Sequence, residues 1–282
     1  MKGHANNNSS SNDRGYPPMR LKIEHTTTFI YDQPISEAYT EMRLKPLDTD
    51  GQFCISYRLI TKPKDEVLQY TDHFGNEVSH FDVIQPHQRL MVSAISEVAT
   101  PDVFAADSTS LSPLDEFNYL SPTYYAPHTP NLVNLSASHR AEEDPLETAL
   151  SLMRAIHKMM IYEKGATDVD TTADKALTLG RGVCQDFSHI MLAACRAQSI
   201  PARYVSGYLY NNGETAASHS WVDVFVPERG WVSLDPTHNR EQTDQYVRVA
   251  VGRDYEDVPP TRGIFKGNAK EEMDVDVILT KL

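Results

Sequence analysis

A cysteine, a histidine and an aspartate each sit in a setting that could make them reactive. Cys184 lies in Gly180-Arg181-Gly182-Val183-Cys184-Gln185-Asp186-Phe187, a glycine-bracketed loop running into an amphipathic helix with Phe187, Ile190, Met191 and Ala194 on one face. A thiol in the first turn of a helix meets unpaired backbone N–H groups and the positive end of the helix dipole. Both favour the thiolate and draw the pKa down from about 8.5 towards neutrality. The same N–H groups can donate to the oxyanion that forms when a carbonyl is attacked. A thiolate nucleophile also needs a base, and the base needs an orienting partner. His219, in Ser218-His219-Ser220-Trp221-Val222-Asp223-Val224, can take the thiol proton. Asp235, in Ser233-Leu234-Asp235-Pro236-Thr237, can fix the imidazole tautomer and balance its charge.

The two strands carrying His219 and Asp235 form a hairpin, and its parity matters. An even-membered turn pairing Val226 with Trp231 sends His219 and Asp235 to opposite sheet faces. An odd turn or a bulge puts both on one face, with Trp221 nearly opposite Asp235. A working triad therefore predicts odd register in that hairpin. Taken singly, each residue has a bland reading: a structural thiol, a satisfied strand histidine, an aspartate that starts a turn before Pro236. Only the three together argue for catalysis. Gln185 and Asp186 serve either the helix dipole or the site itself. Cys195 reads as a buried structural thiol and Cys54 as a small strand residue.

The elements that must position these residues are legible from periodicity. Between residues 19 and 100 the pattern alternates with period two. Phe53, Ile55, Tyr57 and Leu59 share one side, Leu90, Val92, Ala94 and Val98 repeat the habit, and Gly75-Asn76 marks a turn between strands at 67–70 and 78–84. This predicts an antiparallel β-sandwich. A short helix is predicted over 113–119 after Ser112. Asp144-Pro145-Leu146-Glu147 then starts a longer helix, with an N-cap carboxylate and a proline in the first turn. Further helices are predicted over 173–179, closed by Gly180, and after Gly182. Strands follow at 203–210, 218–226, 231–234, 245–251 and 275–279. The expected organisation is a disordered leader at 1–18, an N-terminal sandwich at 19–112, a linker at 113–142 and a catalytic domain at 143–282.

The chain has 282 residues, with 39 Asp plus Glu against 26 Lys plus Arg, a net charge of −13. Such a surface argues against a nucleic-acid partner. No segment approaches the roughly 20 apolar residues of a membrane-spanning helix, so no membrane partner is expected. The three cysteines have no paired metal-ligand spacing. His73, His80 and His87 recur at an odd spacing that sends successive strand side chains to opposite faces, so they are read as scattered surface histidines. With no apolar h-region at the N-terminus, the expected location is cytoplasmic.

The motifs GVCQDF, IPARYVSGYL, SHSWVDVFVP and GWVSLDPTHN, in the order Cys–His–Asp and followed by YVRVAVGRDYEDVPPTRGIF, resemble bacterial transglutaminase-like enzymes, which share the papain-like cysteine fold. HTTTFIYDQPISEAY and DHFGNEV resemble the N-terminal β domain that accompanies that core. The resemblance implies an α+β chain: an antiparallel β-sandwich, then a papain-like transglutaminase core of helices followed by an antiparallel sheet. It implies Cys184 as nucleophile, His219 as base and acid, and Asp235 as orienting residue. Animal transglutaminases and papain relatives use an upstream tryptophan or glutamine as a second oxyanion donor. Neither has a persuasive counterpart here, and Tyr162 is the candidate. Residues 168–174 alternate acids but lack the glycine and glutamate of a calcium loop.

No cofactor or metal is expected. The expected activity is cysteine-dependent acyl transfer on a peptide or protein amide through a thioester, as a peptidase or amidase. The competing readings are transglutaminase-type amine transfer or crosslinking, and an inactive peptide-binding scaffold. The oligomeric state is left open.

Overall fold

The computed structural model describes residues 19–49, 51–101, 110–141, 144–211, 218–227 and 229–282. The leader expected at 1–18, and residues 142 and 143 at the expected boundary before the catalytic domain, lie outside the described residues.

Six strands come first: β1 (Met19–Ile35), β2 (Glu37–Met42), β3 (Phe53–Lys62), β4 (Leu68–Thr71), β5 (Glu77–Val83) and β6 (His87–Thr100). Leu90, Val92, Ala94 and Val98 are buried on one face of β6, as their alternation predicts. Strand β3 departs from its pattern. A β-bulge between Cys54 and Ser56 breaks the alternation, so Tyr57 and Leu59 pack on the core while Phe53 and Ile55 are exposed.

The middle of the chain is helical: α1 (Pro113–Leu120), α2 (Pro130–Ala137) and α3 (Pro145–Met159), then β7 (Ile161–Tyr162), α4 (Ala173–Leu179), β8 (Arg181–Gly182) and α5 (Cys184–Ala197). Ser112 caps α1 and Asp144 caps α3, each accepting a backbone N–H three residues on. The segment read as a linker thus carries two helices. Helix α2 was hidden in polar composition, but its Leu132 and Leu135 are buried against the core.

Strands β9 (Ala202–Leu209), β10 (Ser218–Val226), β11 (Gly230–Asp235), β12 (Arg240–Glu241) and β13 (Tyr246–Gly252) form a sheet in the order β12-β11-β10-β9-β13. Helix α5 is buried almost all round. Its Ile190, Met191 and Ala194 pack on Val222, Val224 and Leu234 of the sheet, with Leu152 and Ile156 of α3 beside them. The nucleophile candidate therefore starts the central helix of the core. No helix among the described residues is long and apolar enough to cross a membrane.

The chain then returns to its beginning. Strand β14 (Thr261–Lys266) pairs with β2, and β15 (Glu271–Lys281) pairs with β1, completing two four-stranded sheets, β14-β2-β5-β4 and β15-β1-β6-β3. The sequence reading assigned these last residues to the catalytic part. Their partners lie more than 200 residues away in the chain, and pairing over such distance leaves no local signal.

Two buried side-chain amides join the halves. Strand β13 is an edge strand whose backbone groups need partners. Asn76 donates to the Val251 carbonyl at 2.8 Å and accepts from the Val251 N–H at 2.7 Å. Gln52 does the same for Arg248, at 2.9 and 2.8 Å. Asn76→Ala is expected to lower the unfolding free energy by about 2–6 kcal/mol, since it orphans two buried backbone groups at about 1–3 kcal/mol each. Urea unfolding measures this, and an unchanged midpoint would refute the role assigned to the amide.

Candidate active site

Helix α4 ends at Gly180, whose φ of 68° is the left-handed conformation that glycine adopts without cost. The chain then forms the short parallel bridge β7–β8, which sets Tyr162 beside Gly182. At Gly182 a Cβ would collide with the Asp186 carboxylate. That close approach lets Asp186 accept the Val183 N–H at 2.7 Å, capping α5 at its third residue. Thr167 donates to the same carboxylate oxygen at 2.7 Å, and the Gln185 amide donates to the Val169 carbonyl at 2.8 Å. Asp186 and Gln185 thus hold the helix start and the loop before it, and leave Cys184 as the first residue of α5.

The hairpin has the predicted parity. Val226 pairs with Gly230 across the odd turn 227–229, and the register runs to Val222 opposite Leu234, so Trp221 and Asp235 are next in line. His219 and Asp235 consequently meet. His219 Nε2 lies 2.8 Å from Asp235 Oδ2. Asp235 is held as a carboxylate, which only accepts, so Nε2 carries the proton and Nδ1 is left for the sulfur. Trp221 stacks on the His219 ring, at 6.1 Å between centroids and 25° between planes. Opposite His219 on β9 is Gly207, where a Cβ would strike the Trp221 ring.

The electrostatics separate the three thiols. Burial disfavours a thiolate and is the largest single influence on Cys184. The His219 imidazole, together with the hydroxyl and backbone of Ser220, outweighs it and leaves this thiol below its ordinary range. Burial also opposes the His219 cation, but Asp235 and Cys184 raise its pKa overall. By contrast, burial and the nearby Asp48 carboxylate raise the Cys54 thiol, and burial pushes Cys195 up to about 12. Only Cys184 of the three is drawn towards the thiolate.

Asp235 has more partners than the sequence suggested. Its Oδ2 takes hydrogen bonds from His219, from His238 Nδ1 at 2.8 Å and from the Tyr246 hydroxyl at 2.7 Å. Its Oδ1 accepts the backbone N–H groups of Thr237 and His238, at 2.8 and 3.2 Å. Burial would raise this carboxyl, but the three side-chain donors outweigh it and hold the pKa well below the usual carboxylate range. The folded pKa thus lies under the unfolded value of about 3.9. Asp235 therefore contributes stability that is complete at neutral pH and is lost as pH falls below that value. Tyr246→Phe removes one donor, so its acid-unfolding midpoint is expected to move to higher pH, read by circular dichroism. An unmoved midpoint would contradict the role given to Tyr246.

His238, Tyr246 and Ser220 were not foreseen. A histidine three residues beyond an Asp-Pro turn was the available hint for the first. Tyr246 lay in a strand with no sequence link to the site. Ser220 is buried beside the sulfur, 3.2 Å from the Ser188 hydroxyl on α5.

Tyr162 is half-exposed on the β7–β8 bridge opposite Gly182, and partial burial together with the Cys184 charge raises its pKa. Trp231 packs between Tyr119 and Phe225 with the Arg203 guanidinium 4.2 Å above its ring. Arg253 pairs with Asp257, while Asp254 caps the following turn, both structural roles. Of His73, His80 and His87, the last is buried rather than on the surface, with Nδ1 2.7 Å from the Gln85 carbonyl. The three do not converge: among the described residues only His219, Asp235 and His238 bring three potential metal ligands together.

Known proteins resemble this chain along its length. The profile of the transglutaminase-like superfamily matches residues 134–236, and that of the bacterial transglutaminase-like N-terminal region matches residues 21–99. An uncharacterized protein of Mycobacterium leprae is 34% identical over 278 residues, spanning 93% of this chain and 99% of that protein. A protein-glutamine gamma-glutamyltransferase of Pseudomonas aeruginosa is 29% identical over 166 residues, spanning 54% of this chain and 25% of that protein. The crystal structure of a Cytophaga hutchinsonii protein, provisionally named a cysteine protease, shares the fold with a TM-score of 0.79. It is 23% identical and covers 95% of this chain and 92% of that one.

Proposed function

Since this chain belongs to the transglutaminase-like superfamily, we propose that it is a cysteine-dependent acyl-transfer enzyme that cleaves an amide bond of a peptide substrate. One observation carries the reading: the sulfur at the start of α5 meets a histidine whose other ring nitrogen is bonded to a buried carboxylate. Cys184 Sγ attacks the carbonyl carbon and the C=O electrons move to oxygen. The backbone N–H groups at the start of α5 receive that charge, with the Tyr162 hydroxyl as second donor. Collapse breaks the C–N bond, and the leaving nitrogen takes the proton from His219 Nδ1. A thioester remains. Water then attacks it and gives a proton to His219, which releases the acid and restores the thiolate–imidazolium pair.

Asp235 keeps its charge throughout. It holds the imidazole in the productive tautomer and stabilises its cation. Gln185 and Asp186 act through position, since both are spent on holding the helix start.

A second reading replaces water with an amine. The likeness to a relative named as a glutamine gamma-glutamyltransferase favours it. Incubating the protein with glutamine-containing peptide libraries, with and without a primary amine, separates the two by mass. Hydrolysis of a peptide bond gives two shortened products whether or not amine is present. Amine transfer at a glutamine side chain gives a single adduct with ammonia lost. Absence of any product, with no thioester on the intact protein, would defeat both readings in favour of an inactive scaffold.

A further inference from the structure

We propose that His219, Asp235 and His238 form a binding site for a thiophilic-to-borderline divalent cation such as Zn2+, and that occupation of this site switches the reaction centre off. The inhibitory part rests on the functional reading above; the binding part does not. Nε2 of His219, Oδ2 of Asp235 and Nδ1 of His238 all lie within 4.8 Å of one another. Two nitrogens and one carboxylate oxygen match protein sites that give such ions three side-chain ligands, with solvent as the fourth.

The carboxylate oxygen is 2.8 Å from each ring nitrogen. A cation with bonds of about 2.0–2.2 Å needs these contacts to open by a few tenths of an ångström. His238 can supply that movement, because its side chain is 42% exposed while those of His219 and Asp235 are 8% and 1% exposed. The exposed ring also gives the ion its route in and leaves a solvent position open.

The surroundings fit an outer shell. The Tyr246 hydroxyl and the Thr237 and His238 amides already orient the Asp235 carboxylate, as second partners do at metal centres. Arg240 is the cation nearby, and its guanidinium is engaged with the Tyr246 hydroxyl at 2.9 Å. On binding, His219 gives its Nε2 proton to solvent and keeps Nδ1–H towards the sulfur. His238 coordinates as the neutral tautomer with its proton on Nε2. A metal on Nε2 takes Asp235 away from the ring and leaves Nδ1–H as the proton of a neutral, metal-bound imidazole, a weaker acid than imidazolium. His219 can then no longer give that proton to the leaving nitrogen as readily, and the acyl-transfer cycle stalls.

The test uses the full chain with Cys184→Ser, which removes the thiolate as a competing ligand, titrated with Co2+ and monitored by visible absorption. One equivalent is expected to bind, with d–d bands and no sulfur charge-transfer band. Adding His238→Ala to that background is expected to weaken binding at least tenfold. Loss of binding in Cys184→Ser alone would place the ion on the sulfur, and unchanged binding after His238→Ala would place it elsewhere. Either result overturns the site, as does no binding to the single variant at 1 mM Co2+. This readout needs no turnover, so the site can stand if the enzymatic reading fails. Conversely, an active enzyme with an empty site leaves that reading intact. For the inhibitory part, Zn2+ is expected to suppress wild-type turnover reversibly with chelator, and His238→Ala to need at least tenfold more Zn2+. Equal sensitivity would refute the switch.

Discussion

Cys184→Ala is expected to abolish acyl transfer, lowering kcat/KM by at least about 10^4-fold, or about 5 kcal/mol of transition-state stabilisation. The sulfur forms the covalent intermediate, and no neighbouring group can replace it. The Ser220 hydroxyl is buried beside the sulfur and is engaged with Ser188, and a neutral hydroxyl is a far weaker nucleophile than a thiolate. The fold should survive, because the start of α5 is held by Asp186 and Gln185 rather than by the thiol. Product formation from a peptide substrate, with thermal unfolding as a control, measures the effect. Retention of more than a tenth of wild-type activity in a folded variant would remove Cys184 from the mechanism.

Asp235→Asn is expected to cost about 10^3–10^4 in kcat, the scale seen when the orienting carboxylate of a triad becomes an amide. The effect here has a definite local cause. Asp235 Oδ2 is the common acceptor for His219, His238 and Tyr246. An asparagine that keeps its oxygen towards the two backbone amides turns an NH2 group on three donors. His219 then loses its acceptor, favours the wrong tautomer and is no longer stabilised as a cation. The buried donors left unpaired also cost stability, so the assay belongs well below the variant's melting temperature. A drop of less than tenfold would mean that Asp235 is structural and that another group orients the imidazole.

Much of the site was legible because it depends on local rules. The glycine-bracketed cysteine, the Asp144-Pro145 start and the stop at Gly180 each encode their geometry within a few residues. The hairpin could be read because sheet parity links a turn length to the faces of His219 and Asp235, and the odd turn at 227–229 agrees.

What escaped depends on partners far off in the chain. Strands β14 and β15 read as strands or not at all, but their place beside β2 and β1 is set by pairing across the whole protein. The bulge at Cys54 was invisible because a single extra residue inverts which side of β3 meets the core. Tyr246 reaches Asp235 only because β13 crosses to pair with β9. His238 follows from the turn after Asp235, where both backbone amides fold back onto the carboxylate. The Gln52 and Asn76 anchors were equally hidden, since nothing in either segment announces an edge strand elsewhere.

The central claim is that His219 keeps Cys184 ionised where an ordinary thiol is neutral. Iodoacetamide alkylation, followed site by site with mass spectrometry from pH 5 to 10, measures this directly. In the wild-type protein Cys184 is expected to react first and with a rate that levels off below pH 8. In His219→Ala its rate should fall and climb only through the ordinary thiol range. Wild-type Cys184 following the same pH curve as Cys54, with His219→Ala changing nothing, would contradict the account.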